Sequence, residues 1–217
     1  MLDYFYQGGP VMYPLLFCSL VSLTIVIERG IFWMRERRGH DARLLDRFMS
    51  LIERGDLEEA RRLVSGSRDP LVRVLVCGIV HREFSLKDAL RMSADEEIAR
   101  MRRYLPTLDT MITLSPLLGI LGTVTGIIYS FNMLGSAGVE NPATITAGIG
   151  QALLTTAFGL SIAIFSLIPY NYFSSRIEKA AQDMEKYGTT LEILFEKIQR
   201  QGNVQSGFGP ENESGTA

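Results

Sequence analysis

The polar side chains best suited to act on water or an ion lie in two long segments that contain no charged residue. The first segment places Thr123 and Ser130 at helical spacing, and the second contains Gln151, Thr155 and Thr156. A hydroxyl both donates and accepts hydrogen bonds, so a ring of hydroxyls can hold water in a narrow pore. These five residues are therefore the candidates for lining a pore.

Small residues on the same helical faces offer an alternative explanation. They let helices approach closely in lipid, and a threonine hydroxyl often bonds the backbone of its own helix. Spacing alone therefore favours helix packing over pore lining. The small residues that we predict to pack are Gly119, Gly122, Gly126, Gly148, Ala152, Gly159 and Ala163.

No other chemistry is indicated by the residue types. His40 and His81 lie in charged segments and are predicted to be solvated, and Cys77 is predicted to be a core residue. There is no nucleophile–base pair, phosphate-binding loop or metal-ligand cluster, so we predict neither an enzyme nor a metal or cofactor site. With 22 basic and 24 acidic residues, the chain lacks the basic excess expected of a nucleic-acid binder.

Three uncharged segments are long enough to cross a membrane. Residues 4–27, 110–139 and 141–175 contain no Asp, Glu, Lys, Arg or His. A helix rises about 1.5 Å per residue, so about 20 apolar residues cross the hydrocarbon core. A charge at mid-membrane costs about 2.5–3.5 kcal/mol, which explains why such segments lack charge. We therefore predict three membrane-spanning helices.

The distribution of Lys and Arg predicts the topology. Residues 1–27 and the link between the second and third spans contain none, whereas residues 28–104 contain 17 and residues 171–217 contain five. The positive-inside rule then places the N-terminus outside and the C-terminus in the cytoplasm. The predicted segments are an external N-terminus (1–10), the first span (11–27), a cytoplasmic helical domain (28–104), the second span (105–134), an external hairpin (135–145), the third span (146–171), a cytoplasmic helix (172–201) and a disordered tail (202–217).

The cytoplasmic segments are predicted to be helical, because no strand-like alternation occurs in them. We predict helices over 42–54, 57–64 and 71–84, and a further one that opens at a Ser85–Asp88 capping box and runs to Tyr104. Pro106 marks a kink or boundary before the second span. After the third span, small and apolar residues at alternating steps of four and three predict a packing seam: Ile177, Ala181, Met184, Gly188, Leu191, Phe195 and Ile198.

Two of these segments also resemble family signatures. Residues 116–127, PLLGILGTVTGI, are similar to the second-span signature of the MotA/TolQ/ExbB proton channel family. Residues 148–160, GIGQALLTTAFGL, are similar to its third-span signature. The three-span layout with an external N-terminus resembles ExbB and TolQ, and ExbB most closely, over roughly residues 5–200.

The resemblance implies a fold and a function. ExbB-type subunits form a homopentameric ring in the lipid of the bacterial inner membrane. Two single-span ExbD-like partners occupy its pore, and proton flow does work on a TonB-like protein to energise transport across the outer membrane. Thr123 and Thr156 match the pore-lining threonines of the family, and Gln151 stands where some members carry a membrane glutamate. The alternatives are a TolQ-like subunit of the Tol-Pal system, a gliding-type motor subunit, or a membrane scaffold that does not conduct.

The two motif spans contain no acid or base that titrates near neutral pH, and threonine cannot exchange its proton there. If protons cross, their carrier must come from another chain, most simply an intramembrane Asp on a partner helix. The nearest acid is Asp109, at the predicted cytoplasmic entry of the second span. Asp109 either caps or pairs there, for example with Arg102 or Arg103, or it receives protons that leave the pore; we favour the structural role.

Overall fold

The computed structural model describes residues 9–37, 42–64, 67, 69–137 and 142–206, and these residues form helices and no strand, as predicted. Numbered in chain order, the helices are α1 (Met12–Arg37), α2 (Ala42–Glu53), α3 (Leu57–Val64), α4 (Pro70–Val80), α5 (Arg82–Arg102), α6 (Leu105–Ala137) and α7 (Pro142–Ser206).

Three of the helical stretches are long and apolar enough to cross a membrane. They lie within Met12–Glu36, Ser85–Asn132 and Gly148–Ile198, which agrees with the three predicted spans. The chain divides into two compact units, the first made of Met1–Trp33 with Arg102–Arg176 and the second of Met34–Met101 with Ile177–Ala217. The first unit therefore contains the predicted spans and the second contains most of the charged segments.

In the first unit, α1 buries one stripe and exposes the other side. The buried stripe repeats at steps of three and four, which is the spacing of one helical face. Large apolar side chains cover the opposite face, where Phe17 is 64% and Leu20 is 56% exposed in the single chain. Such a surface suits lipid or neighbouring subunits as surroundings. The buried stripe consists of Met12, Leu15, Cys18, Ser22, Ile25, Arg29 and Trp33.

The second span begins at a sharp boundary. Tyr104 has a φ of 67°, in the left-handed region that breaks a helix, and α6 starts at Leu105 with Pro106 in its first turn. Pro106 thus accompanies a boundary rather than a kink inside one helix. At the other end, α6 runs to Ala137 and α7 starts at Pro142, so helix extends into both sides of the predicted hairpin. Residues 138–141 lie outside the described residues.

In the second unit, side-chain caps set the helix starts. The Asp69 carboxylate accepts a hydrogen bond from the Leu71 amide at 2.9 Å, and Pro70 follows as the first helical residue. One half of the predicted capping box is present, because the Ser85 hydroxyl accepts a hydrogen bond from the Asp88 amide at 3.2 Å. The Asp88 carboxylate bonds the Ser85 hydroxyl, at 2.7 Å, and not the Ser85 amide that completes such a box. Ser85 itself has an extended backbone inside α5.

Two predicted helix ends differ from the structure by four residues or more. The helix predicted over 71–84 ends at Val80, where His81 caps it by donating its amide proton to the Cys77 carbonyl. The third-span helix continues to Ser206, five residues into the segment that we predicted to be disordered. The rest of that segment, 207–217, lies outside the described residues, as does Asp41, the expected cap of α2.

The core of the second unit joins α4, α5 and α7. Leu71, Val74, Leu75 and Ile79 are buried on one face of α4, as predicted, and Gly78 of α4 lies directly against the buried Leu90 of α5. Gly188 of α7 also contacts Leu90. The seam predicted after the third span is therefore a buried face within this unit; its buried members are Ile177, Met184, Gly188, Leu191 and Phe195.

Candidate functional site

The candidate site is the seam between α6 and α7 within the first unit, where the two helices approach through glycine. A Cβ atom added to Gly119 would lie 2.9 Å from Thr156 Cα, and one added to Gly126 would lie 2.9 Å from Ala152 Cβ. A Cβ on Gly159 would overlap the Ser115 carbonyl oxygen. Real Cβ atoms do not tolerate such distances, so glycine is required for this approach.

The remaining small residues extend the same seam. Gly122 faces the Thr155 side chain, and Gly148 faces the Ser130 hydroxyl, each without space for a Cβ. Ala163 is buried at 9% exposure further along α7. The small residues singled out from the sequence therefore lie where the two helices are closest or on the buried side of α7.

Most hydroxyls of the site are bonded within their own helix. Thr123 donates to the Ile120 carbonyl at 2.6 Å, Thr155 to the Ala152 carbonyl at 2.8 Å and Ser130 to the Gly126 carbonyl at 3.0 Å. Thr155 is 1% and Ser130 is 4% exposed, because each side chain fills the seam opposite a glycine. In this single chain, those two hydroxyls form part of the packing and do not face an open surface.

Thr156 differs, because its hydroxyl crosses the seam. It donates to the Gly119 carbonyl of α6 at 2.9 Å, and its oxygen lies 3.4 Å from Thr123 Oγ1. Both threonines are only partly buried. Their protons are committed to backbone carbonyls, so what the pair can offer to a neighbour is oxygen lone pairs that accept hydrogen bonds. Two adjacent acceptors can order water or accept a proton donor, but they cannot carry the proton themselves.

Gln151 and Asp109 make their contacts elsewhere than at the Thr123–Thr156 pair. The Gln151 amide lies against Gly9, which has a φ of 72° and precedes α1. Asp109 is exposed, and its backbone carbonyl accepts a hydrogen bond from Thr113 Oγ1 at 3.1 Å. Among the described residues, the Asp109 carboxylate is within ion-pair distance of neither Arg102 nor Arg103, so the expected pairing is not seen.

Arg29, a buried residue of the first unit, was not among the functional or packing residues predicted from the sequence. It is 3% exposed and pairs with its neighbour Glu28, at 2.7 Å from the guanidinium Nη2 to Oε1. Its guanidinium also lies 4.5 Å from the ring centre of Phe32 and 5.6 Å from that of Tyr104. The available signal was its spacing, because Arg29 continues the buried stripe of α1 four residues after Ile25.

Comparison with known proteins gives one family. The profile described as the MotA/TolQ/ExbB proton channel family matches residues 68–186. The chain is 38% identical over 205 residues to the putative biopolymer transport protein ExbB-like 1 of Synechocystis sp., covering 91% of this chain and 80% of that protein. It is 32% identical over 187 residues to the Tol-Pal system protein TolQ of Pseudomonas aeruginosa, covering 77% of this chain and 78% of that protein.

The similarity extends to a protein named for biopolymer transport in Salmonella typhimurium. Its biopolymer transport protein ExbB is 26% identical to this chain over 181 residues, which cover 77% of this chain and 72% of the relative. The matched region includes both α6 and the glycine-rich part of α7, so the candidate seam lies within the part of the chain that these proteins share.

Proposed function

The chain belongs to the MotA/TolQ/ExbB proton channel family of inner-membrane proteins, and from that premise we propose that it is an ExbB-like motor subunit. In this proposal it forms a homopentameric ring around an ExbD-like single-span partner. Proton flow through the ring then acts on a TonB-like protein to energise transport across the outer membrane. The observation that carries the proposal is the Thr123–Thr156 pair. Its two hydroxyl oxygens can order water in a pore, and both residues stand at the positions of the pore-lining threonines in the family signature.

The distribution of charge supports an orientation for this subunit. All 22 Lys and Arg residues lie in 28–104 or 171–217, and the positive-inside rule assigns both stretches to the cytoplasm. The N-terminus and the α6–α7 connection then lie outside. Asp109, close to the start of α6, is on the cytoplasmic side of the pathway in this orientation and is our proposed pore-entry residue.

The chain's own residues define its part in proton transfer. The uncharged segments 110–139 and 141–175 supply no group that titrates near neutral pH, so the proton carrier is a carboxylate on the partner helix. Thr123 and Thr156 present oxygen atoms that order water beside that carboxylate. Gln151 is a further member of the proposed lining. Thr155 and Ser130, buried against Gly122 and Gly148, support the lining from within the seam. A charge that crosses 100 mV supplies about 2.3 kcal/mol, which is enough to bias the partner between two positions in the ring.

A TolQ-like role in a Tol-Pal system is the second candidate. It is favoured by the 32% identity to a TolQ, which exceeds the 26% identity to the Salmonella ExbB, although the ExbB-like relative at 38% exceeds both. The two roles share the seam and the proton pathway and differ in the protein that receives the work. Complementation of strains that lack either ExbB or TolQ distinguishes them.

Proton conduction is tested by reconstituting the chain with its ExbD-like partner in liposomes and imposing a pH gradient. We expect the wild type to conduct and Thr156→Ala to assemble but to lose flux roughly tenfold, as expected for one lost hydrogen bond at a rate-limiting position. Thr125→Ala is the matched control, because Thr125 is exposed on α6 and donates to the Leu121 carbonyl of its own helix.

The outcomes separate the proposals. Equal flux in the wild type and in Thr156→Ala would remove Thr156 from the pathway while leaving the family role intact. A correctly assembled wild-type complex that passes no protons would instead support the scaffold alternative.

A further inference from the structure

A cluster of four charged side chains lies in the second unit and plays no part in the proposed proton pathway. Glu36 comes from the last turn of α1, Arg73 from α4, and Glu97 and Arg100 from α5. Both carboxylates are largely buried, since the side chain of Glu36 is 16% exposed and that of Glu97 is 13% exposed. The cluster therefore joins three helices through charges that water solvates only in part.

Arg73 pairs closely with Glu97 and only loosely with Glu36. Its Nη2 donates a hydrogen bond to Glu97 Oε2 at 2.8 Å, and its Nε lies 2.8 Å from Glu97 Oε1, although not aligned for a hydrogen bond. The same Nη2 is 3.8 Å from Glu36 Oε1. Arg100 Nη2 is shared, at 3.3 Å from Glu97 Oε2 and 3.4 Å from Glu36 Oε1. Glu97 is thus the closely paired carboxylate of the cluster and Glu36 the loosely paired one.

This loose pairing leaves the burial of Glu36 poorly compensated. The cost of removing a carboxylate from water is offset only where close, well-aligned partners replace that water. Glu36 also faces two like charges, those of Glu97 and of Asp69, the N-cap of α4. Burial therefore raises the pKa of the Glu36 carboxyl above its ordinary value of 4.5, and the opposing charges of Arg100 and Arg73 do not cancel this effect.

The direction of this pKa shift determines what a proton does to the end of α1. A carboxyl group whose pKa is raised in the packed state binds a proton more tightly when packed than when it is exposed to water. Proton uptake therefore stabilises the packed state, and ionisation favours exposure of the group. The attachment of this end of α1 to α4 and α5 is thus expected to be strongest in acid and to weaken as the pH rises from 4.5 through the raised pKa of Glu36.

We propose that Glu36 is a proton-operated latch, which fastens the last turn of α1 to α4 and α5 when it is protonated and loosens that turn when it is ionised. The Arg73–Glu97 pair keeps α4 and α5 joined in both states. Glu36 follows the predicted first span (11–27), and in the proposed orientation the latch responds to the proton concentration of the cytoplasm. It goes beyond the proposed function, because it requires neither proton conduction nor a particular partner.

The test is the mobility of a spin label at the end of α1, measured by electron paramagnetic resonance on the full chain in lipid nanodiscs. The label is attached to Met34→Cys, with Cys18 and Cys77 replaced by serine. Met34 is 63% exposed, and its replacement leaves the charges of the cluster unchanged. Between about pH 4.5 and about pH 8, we expect the rotational correlation time of the label to shorten several-fold as the pH rises. The midpoint is expected above pH 4.5.

Three variants in this labelled background assign the response to the cluster. Glu36→Gln keeps the shape of a protonated glutamate, so its label is expected to stay at the low mobility of the acid state at every pH. Glu96→Gln is the matched control, because Glu96 is exposed on α5, and it is expected to titrate like the labelled parent. Arg100→Gln removes a charge that favours ionised Glu36, and it is expected to move the midpoint to higher pH by up to about one unit.

The opposite results would overturn the proposal. A label whose mobility is constant over this pH range, or that becomes more mobile in acid, means that protonation of Glu36 does not fasten α1. A response that persists unchanged in Glu36→Gln belongs to another group, such as a histidine. If Glu36→Gln does not assemble, an Arg100→Gln protein that titrates with the parent's midpoint gives the same negative answer.

Discussion

Thr156 and Arg29 show how single side chains connect helices in the first unit. The Thr156 hydroxyl leaves its own helix to reach the Gly119 carbonyl, whereas Thr123, Thr155 and Ser130 donate to carbonyls of their own helices. The family signature predicted that Thr123 and Thr156 belong to one site. It could not predict which carbonyl each hydroxyl selects, because the Thr156 bond joins residues on two helices that are 37 positions apart in sequence.

The contacts of Arg29 predict how a substitution there affects stability. Its guanidinium pairs with Glu28 and lies over Phe32 and Tyr104, a combination that a lysine ammonium cannot reproduce. We expect Arg29→Lys to lower the stability of the chain by about 1–2 kcal/mol, measured by thermal unfolding in detergent. Arg35→Lys is the control, because Arg35 is exposed on the same helix, and it is expected to unfold like the wild type. Equal unfolding of all three proteins would show that the two ring contacts contribute nothing measurable.

The close approach of α6 and α7 depends on glycine at particular positions of the two helices. Gly159 has no space for a Cβ because the Ser115 carbonyl lies there, whereas Gly150 on the same helix has no atom within 4 Å of that position. The sequence predicted both helices and their small-residue faces from charge-free length and from spacing. Helix ends were harder to predict, because the apolar pattern that suggested a helix to residue 84 says nothing about the cap that ends α4 at His81.

The seam gives a matched pair of substitutions. Gly159→Ala is expected to force α6 and α7 apart at a cost of about 1–3 kcal/mol and to reduce the yield of assembled complex. Gly150→Ala is expected to be neutral or stabilising by up to about 1 kcal/mol, because alanine favours helix over glycine. Size-exclusion chromatography and thermal unfolding of both variants provide the measurement. An assembled, equally stable Gly159→Ala protein would contradict the close approach.

For the whole molecule, composition and charge predicted more than motifs alone. The three spans, the all-helical class and the inner-membrane location follow from uncharged length and family membership. The number of subunits and the identity of the partner cannot be predicted from composition, because both depend on surfaces that become buried only on assembly. The orientation is an inference from Lys and Arg, and it can be tested directly.

We expect a membrane-impermeant maleimide to label Gln7→Cys in intact cells, because the positive-inside rule places residues 1–10 outside. Glu185→Cys, on the exposed side of α7 after the third span, is expected to react only once the membrane is permeabilised. Both variants are made after replacing Cys18 and Cys77 with serine, with that cysteine-free protein as the background. The reverse pattern would invert the topology and with it the placement of Asp109.

The glycine contacts of the seam bear on what can move when the proposed motor turns. Backbone lies against backbone at Gly119 and Gly159, so there is no slack in which α6 and α7 could slide or scissor past one another. Each α6–α7 pair is therefore expected to move as one rigid body. Movement in the proposed motor then belongs to the contacts between such bodies and to those with the partner helix.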